Sequence, residues 1–390
     1  MDEADFTAAE YADRMTRIRA AMDRQGIEVL VLSDPSNMAW VTGYDGWSFY
    51  VHQAVVIGPY GPPLWWGRAM DANGALRTVW MPPEHVLSYD DSFVQNPEKH
   101  PMADLAAQLA EHGLVPARIG VEMENYYYSA RAHAVLAAAV PGVLADATGL
   151  VNWCRAVKSP AEMTRIRRAA GIVGAMHRRI LDVAAPGLPK NRLVAEILHA
   201  GTIGAGGHWG DYPAIVPMAP SGMDATAPHL TWDDRPMQPG EAHFFEIAGV
   251  YRRYHCPLSR TLFFGEPTER YRRAEAAVQA GTEAALAQAH PGNTCDDIAR
   301  AFNEALNARG FLKDSRCGYS IGLSYPPDWG ERTMSLRAGD MTVLQPGMVF
   351  HFMPALWLDD GGIEITESIA ITEHGAERLC DLPGTLFVTH

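Results

Sequence analysis

The amino-acid sequence has two parts that differ in their pattern of helix-like and strand-like segments. Up to about residue 155, strand-like and helix-like segments alternate. After Gly201, short strand-like segments follow one another, separated by Gly and Pro and interrupted by helical patterns near residues 271–289 and 294–309. The first pattern of segments is typical of an α/β domain and the second of an α+β domain. The sequence therefore predicts an α+β protein whose N-terminal domain is of the α/β type.

The boundary between the domains is predicted at a strong helix start. Ser159 offers an N-cap side chain, Pro160 suits the first helical position, and Glu162 can complete a capping box. A chain of 390 residues has room for two or three domains of about 150 residues each. We expect an N-terminal domain over residues 1–155 and a C-terminal domain over residues 156–390.

Hydrophobic periodicity and the breaks at Gly and Pro predict the elements of both domains. Strands are expected over residues 28–33, 54–57, 64–66 and 119–122, and helices over residues 8–25, 102–111, 129–139, 160–183 and 190–200. No internal repeat and no low-complexity segment interrupts them.

Composition and charge narrow the class of function. With 47% apolar and 20% charged residues, the composition argues against a disordered or fibrous protein. The formal net charge of −14 at pH 7 disfavours nucleic acid and anionic membranes as partners. The five cysteines form no Cys-x-x-Cys pair, and neither a secretory signal nor a run of roughly 18 apolar residues is present. We expect a cytoplasmic protein with reduced thiols.

An ordered series of short motifs occupies the C-terminal half. It consists of Pro228-His229, Phe244-Phe-Glu-Ile-Ala-Gly249, Tyr254-His-Cys-Pro-Leu-Ser-Arg-Thr261, Gly318-Tyr-Ser-Ile-Gly322, Pro346-Gly-Met-Val-Phe-His-Phe-Met-Pro354 and Gly361-Gly-Ile-Glu-Ile-Thr-Glu-Ser368. Over about residues 155–380, the series resembles the pita-bread hydrolases: creatinase, aminopeptidase P, prolidase and methionine aminopeptidase. The resemblance implies a creatinase-like N-terminal α/β domain followed by a pita-bread catalytic domain.

The same resemblance bears on metal binding. In the metal-dependent members, five carboxylate or His ligands hold two divalent ions. At the corresponding positions this sequence has Glu246, Pro257, Tyr319, Met353 and Thr366. Pro and Met offer a hard divalent ion no charged oxygen, and one Glu cannot replace five ligands. We therefore expect no metal and no other cofactor.

What remains resembles creatinase, the metal-free member of the group, in which a catalytic His lies upstream and acidic side chains hold a guanidinium. The resemblance implies that His229 is the general acid and base and that Glu246 is a catalytic carboxylate. Glu364 and Glu367 would face opposite sides of a regular strand; we prefer Glu367 as catalytic and keep Glu364 as substrate-binding. A glutamate of creatinase is Ser259 in this sequence, which argues against creatine as the substrate.

A closer resemblance, through nearly the whole chain, is to the ectoine hydrolases. It rests on residues 44–52, 65–68, 210–212, 253–261, 325–332 and 363–368. Ectoine is a cyclic amidinium with a carboxylate, an electronic relative of creatine. The resemblance implies hydrolysis of ectoine to N-acetyl-2,4-diaminobutyrate, with acceptance of 5-hydroxyectoine and a partner deacetylase left open. Alternatives are an amidinohydrolase for another guanidino or amidino substrate, a metal-dependent Xaa-Pro peptidase relative, and a non-catalytic binding module.

Further residues are candidates for substrate binding. Glu246 stands in an apolar strand, so it either pairs with a cation such as Arg260 or awaits a cationic substrate; we favour the second. Arg260 is then itself a candidate for substrate binding. Tyr319 takes the place of a ligand His, and Asp328 with Trp329 follows two prolines in a loop expected to line the pocket.

The aromatic segment that contains Tyr44, Trp47, Tyr50 and His52 has two interpretations. It could form core or interface packing. As the resemblance to creatinase implies, it could instead reach into the active site of the partner subunit of a homodimer. Aromatic faces suit a delocalised amidinium through cation–π attraction of roughly 0.5–2 kcal/mol.

Overall fold

The computed structural model describes residues 2–3 and 5–389, which form two compact units. The N-terminal unit comprises residues 6–155. The C-terminal unit comprises the chain from residue 156 onward together with the described residues before Phe6. No helix of this described chain has both the length and the apolar character that a membrane crossing requires.

The N-terminal unit is built around a mixed sheet. Its helices are α1 (Ala8–Gln25), α2 (Pro35–Thr42), α3 (Ala69–Thr78), α4 (Pro101–Glu111), α5 (Ala130–Ala139) and α6 (Leu150–Cys154), and its strands are β1 (Val29–Leu32), β2 (Ala54–Ile57), β3 (Leu64–Arg68), β4 (Val86–Tyr89), β5 (Arg118–Val121) and β6 (Val143–Asp146). The strand order is β4-β3-β2-β1-β5-β6. Trp66, Leu105 and Leu136 share one core cluster, so α4 and α5 cover one face of the sheet.

The sequence did not predict α2 (Pro35–Thr42). All eight of its residues are buried, so the helix has no polar face and its sequence shows no amphipathic period. Its start is nevertheless ordinary, because Asp34 caps it and Pro35 is the first helical residue.

The C-terminal unit holds the predicted long helix and most of the strands. Its helices are α7 (Pro160–Val183), α8 (Lys190–Ile203), α9 (Glu269–Leu286) and α10 (Cys295–Asn307), and its strands are β7 (Ala242–Tyr251), β8 (Tyr254–Phe264), β9 (Gly318–Ile321), β10 (Gly330–Ser335), β11 (Val349–Phe352), β12 (Ala355–Leu358), β13 (Gly361–Glu364), β14 (Glu367–Thr372), β15 (Gly375–Arg378) and β16 (Phe387–Thr389). The strands form sheets with the orders β16-β8-β7, β10-β9-β11-β14-β15 and β12-β13. The capping box that starts α7 is present as predicted, with reciprocal bonds between Ser159 and Glu162.

Strands β7 and β8 form a long hairpin that is buried on both faces. Its turn residues, Arg252 and Arg253, have φ values of 47° and 66°, as a two-residue turn that matches the twist of the strands requires. A Cβ atom on Gly249 would lie 2.2 Å from the carbonyl oxygen of Ala169, so α7 packs directly on this face of β7. Glu246, of opposite parity, lies on the other face.

Candidate active site

Glu246 lies near the middle of β7, on the face of the hairpin that points away from α7. It is directly opposite Ser259 in the register of β7 and β8, and it is 3% exposed. Within residues 2–3 and 5–389, no side chain or backbone group donates a hydrogen bond to its carboxylate; the nearest ring nitrogen, Nδ1 of His351, lies 3.9 Å from Oε1. Burial, and then the neighbouring Glu364, raise the pKa of Glu246 well above its usual value. The hairpin thus buries a carboxyl group to which none of the described residues donates a hydrogen bond.

Glu364 is a second buried carboxyl group in the neighbourhood of Glu246. It ends β13, is fully buried, and accepts a hydrogen bond of 3.0 Å from the hydroxyl of Ser259 through Oε2. Its backbone N and O are both bonded to the hydroxyl of Thr261, which fixes the strand end. Its other oxygen, Oε1, has no hydrogen-bond partner. Burial raises the pKa of Glu364 to about 7, although Ser259 and Lys313 oppose the shift.

Lys313 supplies a positive charge near both carboxyl groups. It lies between α10 and β9 and is half-buried, with Nζ 5.9 Å from the ring centre of Trp357. Burial lowers the pKa of Lys313, whereas Glu364 and Glu246 raise it. The charge of this lysine limits the repulsion between the two carboxyl groups before any ligand binds.

A hydrogen-bonded network connects the sheets behind the carboxyl groups. His351 is fully buried and faces Tyr319 across β11 and β9, with Nδ1 3.2 Å from the Tyr319 hydroxyl and Nε2 2.8 Å from Oγ1 of Thr366. Thr366 Oγ1 also accepts the backbone N–H of Ser259 at 2.7 Å. Trp329 donates its indole N–H to the Tyr319 hydroxyl at 2.7 Å. The hydroxyl of Tyr319 is therefore held by two ring nitrogens, those of Trp329 and His351.

His351 is uncharged in this network. Burial, and then the field of Arg316, lower the pKa of His351 to about 3. The 3.9 Å approach of its Nδ1 to Glu246 is for this reason a contact between a neutral ring and a carboxyl group, and not an ion pair.

The structure corrects two expectations about Arg260 and Glu367. Arg260 lies opposite Phe245 in the hairpin, on the face away from Glu246, and its Nη2 pairs with Oε1 of Glu367 at 3.0 Å. The other donors of Arg260 bond the backbone carbonyls of Ser259, Thr366, Leu382 and Pro383. Arg260 is thus fully used inside the protein. Glu364, and not Glu367, is the carboxyl group whose charge acts on Glu246.

The expectation that Asp328 and Trp329, in the loop before β10, line a pocket differs from what the structure shows. Trp329 is fully buried, so it supports the Tyr319 hydroxyl and offers no surface to a ligand. Asp328 is half-buried and accepts the backbone N–H of Gly330 at 2.8 Å, which closes the turn into β10. Of the three predicted residues, Tyr319 is the one that the structure brings close to Glu246.

His229 lies in an exposed turn of the C-terminal unit. The turn is tied to the site by its backbone, because Ala219 N bonds Thr231 O and the preceding Met218 pairs with Glu246 through two 3.1 Å bonds. In the described part of the chain, no hydrogen bond or ion pair connects the imidazole to the carboxyl groups. The structure therefore places His229 on a loop beside the site and does not bring its side chain into the network.

The four aromatic and His candidates of the N-terminal unit separate into two groups. Tyr44 is 2% exposed, with its ring centre 5.1 Å from that of Trp65, which corrects the expectation that it contacts a ligand. Trp47 and Tyr50 are 57% and 66% exposed. Tyr50 and His52 line a cavity of about 280 Å³, and burial lowers the pKa of His52 to about 4. Trp47 and Tyr50 are the members that a second molecule can reach.

The residues at the former metal positions do not fit a pair of divalent ions. Over residues 2–3 and 5–389, no group of three or more His, Cys, Asp or Glu side chains is arranged to hold a metal. The hydroxyls of Tyr319 and Thr366 already accept N–H groups of Trp329 and Ser259. This set contains one carboxylate and two occupied neutral hydroxyls, whereas hard divalent ions require several charged oxygens.

Comparison with known proteins settles the family. The sequence model of metallopeptidase family M24 matches residues 164–373, and that of the creatinase/prolidase N-terminal domain matches residues 14–157. The chain belongs to the creatinase and M24 peptidase family. An ectoine hydrolase of Halomonas elongata is 56% identical, with 98% of each chain covered. An uncharacterized hydrolase/peptidase of Sinorhizobium fredii is 40% identical, also with 98% of each chain covered.

Solved structures agree with this family. An Xaa-Pro dipeptidase of Bacillus anthracis has a TM-score of 0.83 at 18% identity and covers 97% of this chain and 100% of its own. A prolidase of Thermococcus sibiricus has a TM-score of 0.84 at 17% identity, with 97% and 99% covered. At such identities the likeness shows the fold alone. The predicted pita-bread fold and the resemblance to ectoine hydrolases are confirmed, and the chain is a hydrolase of this family.

Proposed function

We propose that this chain is a metal-independent hydrolase that opens the cyclic amidinium ring of ectoine to N-acetyl-2,4-diaminobutyrate. The observation that carries the proposal is the pair of buried carboxyl groups, Glu246 and Glu364. Among the described residues, none donates a hydrogen bond to the carboxylate of Glu246, and none pairs with Oε1 of Glu364. Such groups are costly unless a cation pairs with them. The 56% identity to an ectoine hydrolase supports ectoine among the cationic amidines and guanidines.

The geometry suits a planar cation with several N–H donors. An amidinium can donate one N–H to Glu246 and another to Oε1 of Glu364, and it brings the positive charge that stabilises both ionised carboxylates. Burial keeps the pKa of each carboxyl group raised before binding. A cationic ligand therefore lowers these pKa values, and a neutral ligand does not.

The reaction adds one water molecule across a ring C–N bond. The oxygen bonds to the amidinium carbon, the ring C–N bond breaks, both protons of the water end on the leaving ring nitrogen, and the products are an amide and a primary ammonium group. Glu246 either attacks this carbon or orients the water, and His229 removes and returns the proton. For His229 to do so, the exposed turn that carries it must close over the bound ligand.

What supports metal independence is the donor set. Pro257 and Met353 stand where the metal-dependent relatives have carboxylates, and their side chains carry no oxygen ligand. These residue types support a reaction without metal over a metal-dependent Xaa-Pro peptidase activity. In such a reaction the general acid and base are side chains of the protein.

Proton NMR of the purified protein with ectoine tests this function directly. We expect the ring signals of ectoine to be replaced by those of an N-acetylated diaminobutyrate, whose acetyl position identifies the bond that is cut. Creatine and an Xaa-Pro dipeptide serve as parallel substrates and should remain unchanged. Turnover of either one without turnover of ectoine would contradict the proposal, and saturable binding of ectoine without turnover would indicate a non-catalytic binding module.

We also propose a homodimer in which Trp47 and Tyr50 of one chain complete the site of the other, most simply by a two-fold arrangement. Mixed protomers carrying His229→Ala or Trp47→Ala test it. Each mixed dimer has one intact site and half of the dimers are mixed, so about a quarter of the parental activity should return. Mixed dimers with no more activity than either variant, or an active monomer by light scattering, would contradict it. A partner deacetylase and a cytoplasmic location stay predictions.

A further inference from the structure

The hydrogen bonds around His351 have a direction, and it can be read from the donors at their ends. The series of hydrogen bonds begins at the backbone N–H of Ser259. This group can only donate, and it donates to Oγ1 of Thr366 at 2.7 Å. Thr366 is fully buried. Its own hydroxyl hydrogen needs an acceptor, and Nε2 of His351 lies 2.8 Å away. A buried hydroxyl that finds no acceptor is strongly disfavoured.

This arrangement selects one tautomer of the imidazole. If Nε2 accepts the hydrogen of Thr366, the single hydrogen of a neutral His351 is on Nδ1. Two oxygens face Nδ1, the Tyr319 hydroxyl at 3.2 Å and Oε1 of Glu246 at 3.9 Å. An N–H group suits these neighbours, whereas in the other tautomer a lone pair would point toward the carboxyl oxygen of Glu246.

The same reasoning applies to the next hydroxyl. Tyr319 accepts the indole N–H of Trp329 at 2.7 Å, and this donor cannot reverse either. Together with Nδ1–H of His351, it occupies both lone pairs of the phenolic oxygen. Burial and the neighbouring Glu246 keep the pKa of Tyr319 well above its usual value, so the O–H remains and must point to a third atom.

We propose that His351 is a positioning residue that makes Tyr319 a one-way hydrogen-bond donor toward the oxygen that adds to the ligand carbon beside Glu246. The nitrogens of an amidinium only donate, so the acceptor is an oxygen; we take it to be the oxygen that adds to the ring carbon and not the carboxylate of the ligand, and the split between kcat and KM separates the two. A donor fixed in advance holds this oxygen in place for its addition to the carbon, without reorganisation during the reaction. The choice of ligand rests on the proposed function, whereas the direction of the hydrogen bonds from Ser259 through Thr366 and His351 to Tyr319 does not.

The tautomer is measured by two-bond proton–nitrogen NMR on uniformly labelled protein without ligand. We expect the Nδ1–H tautomer for His351, identified by the loss of its signals in His351→Asn. Thr366→Val, which removes the hydroxyl but keeps the shape, should shift the ring toward Nε2–H, while Thr366→Ser keeps the parental pattern. A parent protein with Nε2–H or with a charged ring would overturn the inference whether or not ectoine is the substrate.

Kinetics test the consequence for catalysis. Tyr319→Phe should lower kcat for ectoine by about 10²–10³-fold with little change in KM, as loss of one pre-positioned donor does. His351→Leu should lower kcat similarly, the double variant no further, and His351→Asn, which places a donor near Nδ1, should recover part of the loss. An effect of Tyr319→Phe on KM alone would overturn the assignment of its acceptor. If the parent turns over no ectoine, the proposed function fails and the NMR result still decides the direction of the chain.

Discussion

Replacement of Glu246 by Gln is expected to lower kcat/KM for ectoine by about 30- to 5,000-fold, because removal of one partner from a buried charge pair costs roughly 2–5 kcal/mol. The change keeps the shape of the side chain and opens no cavity at this buried position. It removes the charge that pairs with the amidinium and also the oxygen that could attack it. Steady-state kinetics with ectoine, followed by proton NMR, measure the loss.

Glu367→Gln is the matched control for this variant. The chemical change is identical and the residue is also buried, but its carboxylate pairs with Arg260 at 3.0 Å. Breaking one partner of a buried ion pair is expected to lower the free energy of unfolding by about 3–5 kcal/mol, with near-parental kcat in the folded fraction. If Glu367→Gln abolishes turnover while Glu246→Gln does not, Glu367 is the catalytic carboxylate and Glu246 is not.

The second large effect is expected for His229→Ala. General acid–base catalysis contributes typically about 10²–10⁴-fold, so kcat should fall by this factor while ectoine still binds. The side chain is exposed, so the melting temperature should stay within a degree or two of the parent value, about the scatter of neutral surface changes. The matched control is His374→Ala, at another exposed turn position, which should have no effect on either quantity.

The opposite result for His229 would be equally informative. Near-parental kcat in His229→Ala would mean that the exposed turn does not close over the ligand. The proton would then have to be handled within the buried network, where His351 lies 3.9 Å from Glu246. His351→Leu would in that case show the larger loss of the two.

Local chemistry predicted two structural features correctly. The helix start at Ser159 is formed as expected, and Glu246 lies buried in a strand, where no ion pair with Arg260 or another Arg or Lys of the described residues is formed. Both depend on short sequence patterns, namely a capping box and an acidic residue within an apolar run. Such patterns are decided by residues within a few positions of one another.

The error about Arg260 could have been avoided from the sequence. The turn at Arg252-Arg253 places Glu246 opposite Ser259, and directly opposite residues of a hairpin share one face. Arg260 then necessarily lies on the other face. The two-residue turn is the signal that was missed, because neither arginine is a usual residue for a positive φ.

The choice between Glu364 and Glu367 could not be made locally. Alternation along a strand gives only the parity of the two residues. They belong to different strands: β13 (Gly361–Glu364) pairs with β12, whereas Glu367 opens β14 and lies opposite Phe352 of β11. Which residue faces the pocket is set by these long-range pairings.

The sequence pattern also did not identify Lys313 and His351 as residues near Glu246. Lys313 lies in a connection with no motif, and its role follows only from its distance to two strands far along the chain. His351 interrupts the apolar strand Val349–Phe352, which is a usable signal for a buried polar group. Its partners, Tyr319 and Thr366, are identified only by the register of β9 and the course of the chain between β13 and β14.

The most direct measurement of the central claim is ectoine turnover by protein freed of metal. The purified chain is treated with a chelator, its content of Mn, Fe, Co and Zn is determined by elemental analysis, and ring opening is followed by proton NMR. If hydrolysis is independent of metal, we expect an unchanged kcat per chain at a metal content far below one ion per chain. Loss of turnover on chelation, with recovery in proportion to the Mn²⁺, Co²⁺ or Zn²⁺ that rebinds, would contradict it.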